Sequence, residues 1–223
     1  MRLRLYSLLA LTALCVGTAA ADPFFFSTGD PDGKIATASR PSTAGKFEIE
    51  TGDDFVLSTQ TALHSATFVG LLTGGATPAD IGEVRVEVYR VFPKDSDIGR
   101  TSGAPTFSTS QVPTRVNSPS DVALDDRDSS GGLTFTTTPL ISTFTANNSV
   151  QPGGIHPKPG QTTAGNGPVT GEEVEFDVTF STPFDLPADH YFFIPQVEVT
   201  GGEFMWLSAP RPIVPPGTSV SSG

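Results

Sequence analysis

One acidic stretch contains residues whose types and spacing could hold a metal ion. In "DDRDSSGG", Asp126, Asp128 and Ser130 stand at alternate positions before a glycine, as the first oxygen ligands of a calcium loop do. The bidentate glutamate that such a loop has at its twelfth position is missing, because Thr137 stands there. The stretch therefore predicts an acidic turn between strands, and a structural calcium site at Asp126, Asp128 and Ser130 is the alternative.

A second acidic pair, Asp53 and Asp54 in "ETGDDFVLSTQ", could serve as an acid and a base. The apolar residues that follow predict a strand, and consecutive strand residues point to opposite faces of a sheet. Two adjacent carboxylates in a strand cannot converge on one substrate atom. The pair therefore marks the start of a strand, with one aspartate capping a turn and the other in solvent.

The remaining residues give no catalytic signature. His64, His156 and His190 show neither H-x-H nor H-x-x-x-H spacing, so a zinc site would need three separate loops to meet. The strand positions of His64 and His190 indicate surface or hydrogen-bonded side chains. The sequence contains no G-x-S-x-G elbow, P-loop or G-x-G-x-x-G motif. We therefore predict no catalytic residues, and a hydrolase is the least favoured function.

Aromatic side chains offer a different chemistry, because sugar rings stack on exposed tryptophan and tyrosine. The candidates outside the N-terminal segment are Trp206, Tyr191 and Tyr89. If the protein binds carbohydrate, Trp206 and Tyr191 are the predicted ligand-binding residues. Trp206 stands among apolar residues in "EFMWLSA", so a place in the core is the alternative.

The elements that position these residues are strands. In "GEVRVEVYRVF", Val84, Val86 and Val88 alternate with polar residues, and "EEVEFDVTFST" repeats the alternation with phenylalanine. This period of two predicts half-buried strands of an antiparallel sheet with one wet face. The same bias toward β-branched and aromatic residues predicts further strands at 46–50, 62–72, 132–144, 190–199 and 203–209. Only the brief "TPADIG" at 77–82 resembles a helical turn.

Together these segments predict an all-β protein, an antiparallel β-sandwich of jelly-roll type with long loops. The loops are residues 93–131 and 151–171, which are long for connections in one domain. We expect short strands inside the first loop, near 106–108 and 121–124. All 16 phenylalanines follow the N-terminal segment, and their apolar rings predict core packing.

The N-terminus has the three parts of a secretory signal peptide. Arg2 and Arg4 precede an apolar stretch from Leu5 to about Val16, and small residues end at Ala21. The apolar stretch is too short to cross a bilayer core of about 30 Å. We therefore expect residues 1–21 to be removed and the protein to be secreted or extracellular.

The residues that remain limit the classes of partner. The single cysteine leaves with the signal, so disulfides, thiolate metal sites and a cysteine nucleophile are not expected. Two of the 13 basic residues leave as well, so 11 stand against 24 acidic residues and the net charge is −13. Nucleic acids and anionic lipids would be repelled, and no membrane span is expected. Residues 22–209 suit one β-sandwich domain, and residues 210–223 predict a tail or linker rich in Pro, Ser and Gly.

Two stretches resemble a known group of exported proteins. "ETGDDFVLSTQTALHSATFVGLL" is similar to the opening strands of exported bacterial β-sandwich surface proteins of the PEP-CTERM-associated kind, and "TPFDLPADHYFFIPQVEV" with "FMWLSA" is similar to their late hairpin. The resemblance implies the fold and a place at the cell surface, and no catalytic residues. The group's C-terminal sorting signal has a Pro-Glu-Pro motif, an apolar span and a basic end, none of which precedes Gly223. The expectation is either a released protein or the head of a longer, anchored one.

These observations favour a non-catalytic secreted or cell-surface protein with a structural, matrix or adhesion role. A carbohydrate-binding module is the alternative. Extracellular polysaccharide and matrix proteins are the expected classes of partner. No cofactor is expected apart from the calcium alternative above.

Overall fold

A computed structural model describes residue 26 and residues 29–43, 45–96, 117–153 and 165–210. In these residues the chain forms ten strands: β1 (Ile35–Ala38), β2 (Asp53–Leu57), β3 (Thr61–Leu72), β4 (Ile81–Arg90), β5 (Asp125–Asp128), β6 (Leu133–Ala146), β7 (Asn148–Val150), β8 (Val169–Leu186), β9 (Asp189–Val199) and β10 (Phe204–Leu207). The predicted signal peptide, the tail beyond residue 210, the strand expected near 106–108 and His156 lie outside the described residues.

The strands form two sheets that face each other, which confirms the all-β sandwich. One sheet has six strands in the order β6-β8-β3-β10-β1-β7, and the other has four in the order β2-β9-β4-β5. The pairs are antiparallel except that β1 and β7 run parallel. The jelly-roll connectivity stays a prediction.

The alternation of apolar and polar residues correctly predicted which side chains form the core. Val84, Val86 and Val88 of β4 are fully buried between the sheets, and Phe176 and Val178 of β8 face them from the other side. Burying each of these apolar side chains stabilises the fold by roughly 1.5–3 kcal/mol. The alternating positions therefore decide which face of each strand is covered.

Aromatic rings fill the centre of this core. The ring of Phe176 stacks on that of Phe68, with centroids 5.0 Å apart, and meets the ring of Phe204 edge-on at 5.4 Å. Gly70 lies beside them on β3, and a Cβ atom there would stand 2.2 Å from Phe204 Cε2. The strands can approach this closely only because position 70 has no side chain.

Two predicted strands differ from the structure. Residues 46–50 form no regular strand, and the chain is held there by isolated bridges between Arg40 and Ile49 and between Thr43 and Lys46. Residues 121–124 are also irregular, and the strand that the structure describes nearby is β5, which begins four residues later. The brief helical turn expected at 77–82 is confirmed as a 3-10 helix of three residues, 78–80. Among the described residues, no helix is long and apolar enough to cross a membrane.

Candidate functional site: an acidic face and a hydroxyl face

The outer face of the four-stranded sheet is acidic and partly covered. Glu87 and Tyr89 of β4 point away from the core, as their alternation with the valines predicts, but both are buried rather than wet. Residues 46–51, here named the cover segment, lie against this outer face, and Glu50 of the segment contacts Tyr89 and Glu87. The contact arises because Glu48 and Glu50 stand two positions apart in extended chain and share one side.

The three glutamates of this face come close together. One carboxylate oxygen from each of Glu48, Glu50 and Glu87 lies within 4.8 Å of one from each of the others, and we name these residues the glutamate cluster. The Tyr89 hydroxyl donates a hydrogen bond to Glu50 Oε1 and lies 3.4 Å from Glu87 Oε2. The arrangement can share a proton or surround a cation.

The electrostatics of the glutamate cluster bring the titration of Glu87 close to neutral pH. Burial and the charges of Glu50 and Glu48 together raise the pKa of Glu87 from 4.5 to about 7, and burial is the largest cause. Burial also raises the pKa of Tyr89 far above its usual 10, and its hydrogen bond to Glu50 adds to this. Tyr89 therefore stays a phenol and donates to the carboxylate.

Gln196 of β9 completes the acidic face and is fully buried. Its Nε2 donates to Glu48 Oε1 at 3.2 Å, while its Oε1 has no hydrogen-bond partner among the described residues. Neither Gln196 nor the glutamate cluster was predicted from the sequence. The available signal was the pair of E-x-E and E-x-Y patterns at 48–50 and 87–89, but sequence does not show that these segments meet.

The residues predicted as a calcium loop lie on the same face, where Asp126 and Asp128 of β5 are the cross-strand partners of Glu87 and Arg85. Asp128 Oδ1 accepts hydrogen bonds from the backbone and hydroxyl of Ser130, and these bonds lower the pKa of Asp128. The carboxylates of Asp126 and Asp128 both face the guanidinium of Arg85, at 4.0 and 3.9 Å. The acidic residues predicted as a turn form strand β5 itself, and the turn to β6 is residues 129–132. Calcium binding there stays a prediction.

Asp53 and Asp54 are consecutive residues of β2 and point to opposite faces of the sheet, as expected. β2 begins at Asp53, and Asp54 lies 2.6 Å from His190 Nε2, on the neighbouring strand β9. His190 is hydrogen-bonded as predicted, and Asp53 is the exposed member of the pair. The predicted turn cap is wrong, because Asp53 Oδ1 accepts from the Asp54 N–H within β2 and Asp54 bonds His190. The two carboxylates do not converge, so they do not form an acid and base pair.

The predicted sugar-binding aromatics face inward. Tyr191 is 1% exposed, its ring stacks on Phe55, and its hydroxyl donates to the carbonyl of Pro187 at 2.8 Å. A buried ring offers no face to a sugar, so the assignment of Tyr191 is corrected. Trp206 is half-buried against the core and meets the ring of Phe193 edge-on. This agrees with the core alternative for Trp206.

The outer face of the six-stranded sheet carries a polar surface of another kind. Seven exposed side chains lie in register on three adjacent strands, and six of them end in hydroxyls. We name this set the hydroxyl face: Ser65 and Thr67 on β3, Asp177 and Thr179 on β8, and Thr134, Thr136 and Thr138 on β6. Neighbouring strands are about 4.8 Å apart, so the hydroxyls form a regular grid.

Asp177 stands at the centre of the hydroxyl face. It lies between Thr136 and Thr67 in the strand register and accepts a hydrogen bond of 2.8 Å from Thr67 Oγ1. The carboxylate is therefore held in place by a neighbour while it stays exposed. The face offers both hydrogen-bond donors and acceptors to a partner.

A cleft of about 220 Å³ lies at the end of the cover segment and includes Arg40 and Lys46. Both cations are bonded to Glu203, at 2.6 and 3.1 Å. The volume is below the roughly 300–1,000 Å³ of most small-molecule sites.

Comparison with protein-family models, with curated proteins and with solved structures found no match to this chain.

Proposed function

We propose that this chain is a non-catalytic exported β-sandwich that works at the cell surface or in the extracellular matrix by adhesion. The observation that carries the proposal is the hydroxyl face, an exposed and regular polar surface on three strands of a rigid sheet. Rigid side chains lose little conformational entropy on binding, and threonines in a strand are restricted at χ1. The surface is therefore suited to contacts with an extended polymer.

Charge and chemistry favour a neutral polymer rich in hydroxyl groups as the partner. The predicted mature charge of −13 opposes contact with polyanions. The hydroxyls of Thr67 and Thr136 and the carboxylate of Asp177 can pair with hydroxyl groups of such a polymer. The aromatic stacking expected from Tyr191 is not needed for this mode.

The polar pairs on the outer face of the four-stranded sheet support a structural rather than a catalytic role. His190 is paired with Asp54, and Tyr89 is paired with Glu50. The cleft beside the cover segment is small, and its two cations are bonded to Glu203. These side chains join elements of the fold to each other.

A carbohydrate-binding module is the second candidate, because the hydroxyl face also suits specific recognition of one glycan. The two candidates differ in selectivity. Specific recognition predicts retention on one glycan among many, whereas adhesion predicts weak retention on several neutral polymers. A panel of soluble and insoluble glycans distinguishes them.

Export is tested by the intact mass of the native protein, taken separately from culture medium and cell envelope. The proposal predicts a mass that lacks residues 1–21 in one or both fractions. Protein found only inside the cell, with residues 1–21 still attached, would contradict it.

A further inference from the structure

One edge of the six-stranded sheet differs from the other edges of the sandwich. A strand at an edge presents unpaired N–H and C=O groups, and proteins protect such strands with charged side chains or keep them short. β2 begins with Asp53 and Asp54, all four residues of β5 are charged, and β7 has three residues. β6 is the fourth edge strand of the described residues, and it has 14 residues and no charged side chain. Neither charge nor shortness therefore protects β6 from pairing with another strand.

The register of β6 shows which of its backbone groups face this edge. Gly132 O accepts a hydrogen bond from Ser181 N, and the pairing with β8 stays regular over the first half of β6. Because an antiparallel ladder alternates between bonded and non-bonded pairs, the even-numbered residues of this half bond to β8. The N–H and C=O groups of Leu133, Phe135 and Thr137 therefore point away from β8, to the side where β6 has no strand partner among the described residues.

Pro139 marks the end of the segment that can pair. It stands at the next position of the same alternation, so the N–H that proline lacks is one that would face the open edge. The register with β8 shifts between Pro139 and Ile141 and again before Phe144. The regular part of the edge is therefore residues 133–138, here named the edge segment.

The charge distribution favours a second copy of this chain as the partner. The edge segment consists of apolar residues and threonine, so two copies placed side by side bring no like charges together. The acidic residues opposite it in the register are Asp177 and Glu175 on β8. With two β6 strands between them, the β8 strands of two copies would be three strand spacings, or about 14 Å, apart. This exceeds the Debye length of about 8 Å at physiological ionic strength, so the repulsion between them is largely screened.

We propose that the edge segments of two copies of this chain pair antiparallel around a two-fold axis. With Phe135 opposite Phe135 of the second copy, Leu133 lies opposite Thr137, and the backbone groups that β8 leaves unpaired bond to each other. Each of these pairs exchanges two hydrogen bonds. A two-fold contact uses the same surface on both copies, so assembly ends at the dimer.

The pairing would join two six-stranded sheets into one continuous sheet. Thr134 and Thr136 of the two copies then meet on the outer surface, and the hydroxyl face continues from one copy to the other. The self-association does not depend on adhesion, because the edge segment pairs through its backbone. The failure of one proposal therefore leaves the other unaffected.

The test is self-association of the full mature chain, measured by sedimentation in physiological salt at protein concentrations up to about 1 mM. We expect an equilibrium between monomer and dimer and no larger species. Hydrogen exchange at the amides of Phe135 and Thr137 should slow as the dimer forms. A monomer at every concentration would overturn the proposal, and protection of these amides in that monomer would show that another segment of the chain covers the edge. Association without added protection of the two amides would also overturn it.

Two variants and a control locate the contact. Thr134→Glu places a negative charge beside the interface in both copies, and Thr137→Pro removes an N–H that faces the open edge without removing a bond to β8. Each variant should weaken dimerisation about tenfold or more, and either one gives the test if the other does not fold. Ser65→Glu adds the same charge at an exposed position of β3, two strands away from β6, and should leave dimerisation unchanged. Full dimerisation in both edge variants, or an equal loss in the control, would overturn the proposal.

Discussion

The phenol of Tyr89 on β4 donates a hydrogen bond to the carboxylate of Glu50 in the cover segment. The bond joins two parts of the chain that the sequence does not show to be neighbours. It also brings Glu50 close to Glu87, which lies two residues from Tyr89 on the same face of β4. Tyr89 is therefore a polar link between the sheet and the cover segment, beside the hydrogen bond from Gln196 to Glu48.

Removing this link should cost more than removing a comparable neutral bond. A hydrogen bond to a charged group contributes about 1.5–3 kcal/mol, against about 0.5–1.5 kcal/mol for a neutral one. Tyr89→Phe should therefore lower the free energy of unfolding more than Tyr191→Phe, which removes a bond to the carbonyl of Pro187. Urea unfolding at neutral pH measures both variants. An equal or larger loss for Tyr191→Phe would contradict the role of Tyr89.

The raised pKa of Glu87 predicts how stability depends on pH in the metal-free protein. The folded state holds this proton up to about pH 7, whereas the unfolded chain releases it near the ordinary value of 4.5. Between these values the folded state binds more protons, so the free energy of unfolding falls as pH rises from about 4.5 to about 7. Above that window the contribution of Glu87 no longer changes.

Urea unfolding from pH 4.5 to 8 in a chelating buffer measures this dependence. Glu87→Gln cannot ionise and should show a smaller fall than the native sequence over the same window. The lowered pKa of Asp95, caused mainly by its hydrogen bond with Arg90, acts elsewhere, because that stability is lost only as pH falls below about 3.8. Identical pH profiles for the native protein and Glu87→Gln would show that Glu87 is not the titrating group.

The close approach at Gly70 gives a prediction for the core. A Cβ atom at this position would stand 2.2 Å from the ring of Phe204 and 2.9 Å from the carbonyl oxygen of Met205. Gly70→Ala should destabilise the protein by about 1–3 kcal/mol or more, the usual cost of overpacking. Gly131→Ala is the control, since a Cβ atom there meets nothing within 4 Å. Denaturant midpoints measure both, and equal stability of the two variants would contradict the packing.

The sequence predicted the parts of the fold that depend on local alternation. Val84, Val86 and Val88 face the core because a period of two places them on one side of a strand, and the same reasoning holds for Phe176. The alternation could not show what covers the other side. Glu87 and Tyr89 were expected in water, yet the cover segment buries them, because the 46–50 stretch leaves the sheets and folds over β4.

The candidate sites depend on contacts between distant residues, and these were not predictable. Asp54 and His190 are 136 positions apart and meet only because β2 pairs with β9. Tyr191 was expected to bind a ligand, but its strand position turns the ring into the core, where apolar burial outweighs exposure of one hydroxyl. The hydroxyl face was visible as T-x-T-x-T in β6, although its width became clear only when β6, β8 and β3 were aligned.

The central claim, adhesion through the hydroxyl face, is tested most directly by retention of the full chain on extracellular matrix deposited by the producing cells. Thr67→Val with Thr136→Val removes the hydroxyls on both sides of Asp177 and keeps the shape of each side chain. The control, Thr145→Val with Thr170→Val, alters another exposed pair of threonines, whose hydroxyls lie 2.8 Å apart. We expect the first variant to be released at a lower salt or competitor concentration than the native protein, and the control to be retained like the native protein. Equal retention of all three, or loss in the control alone, would contradict the claim.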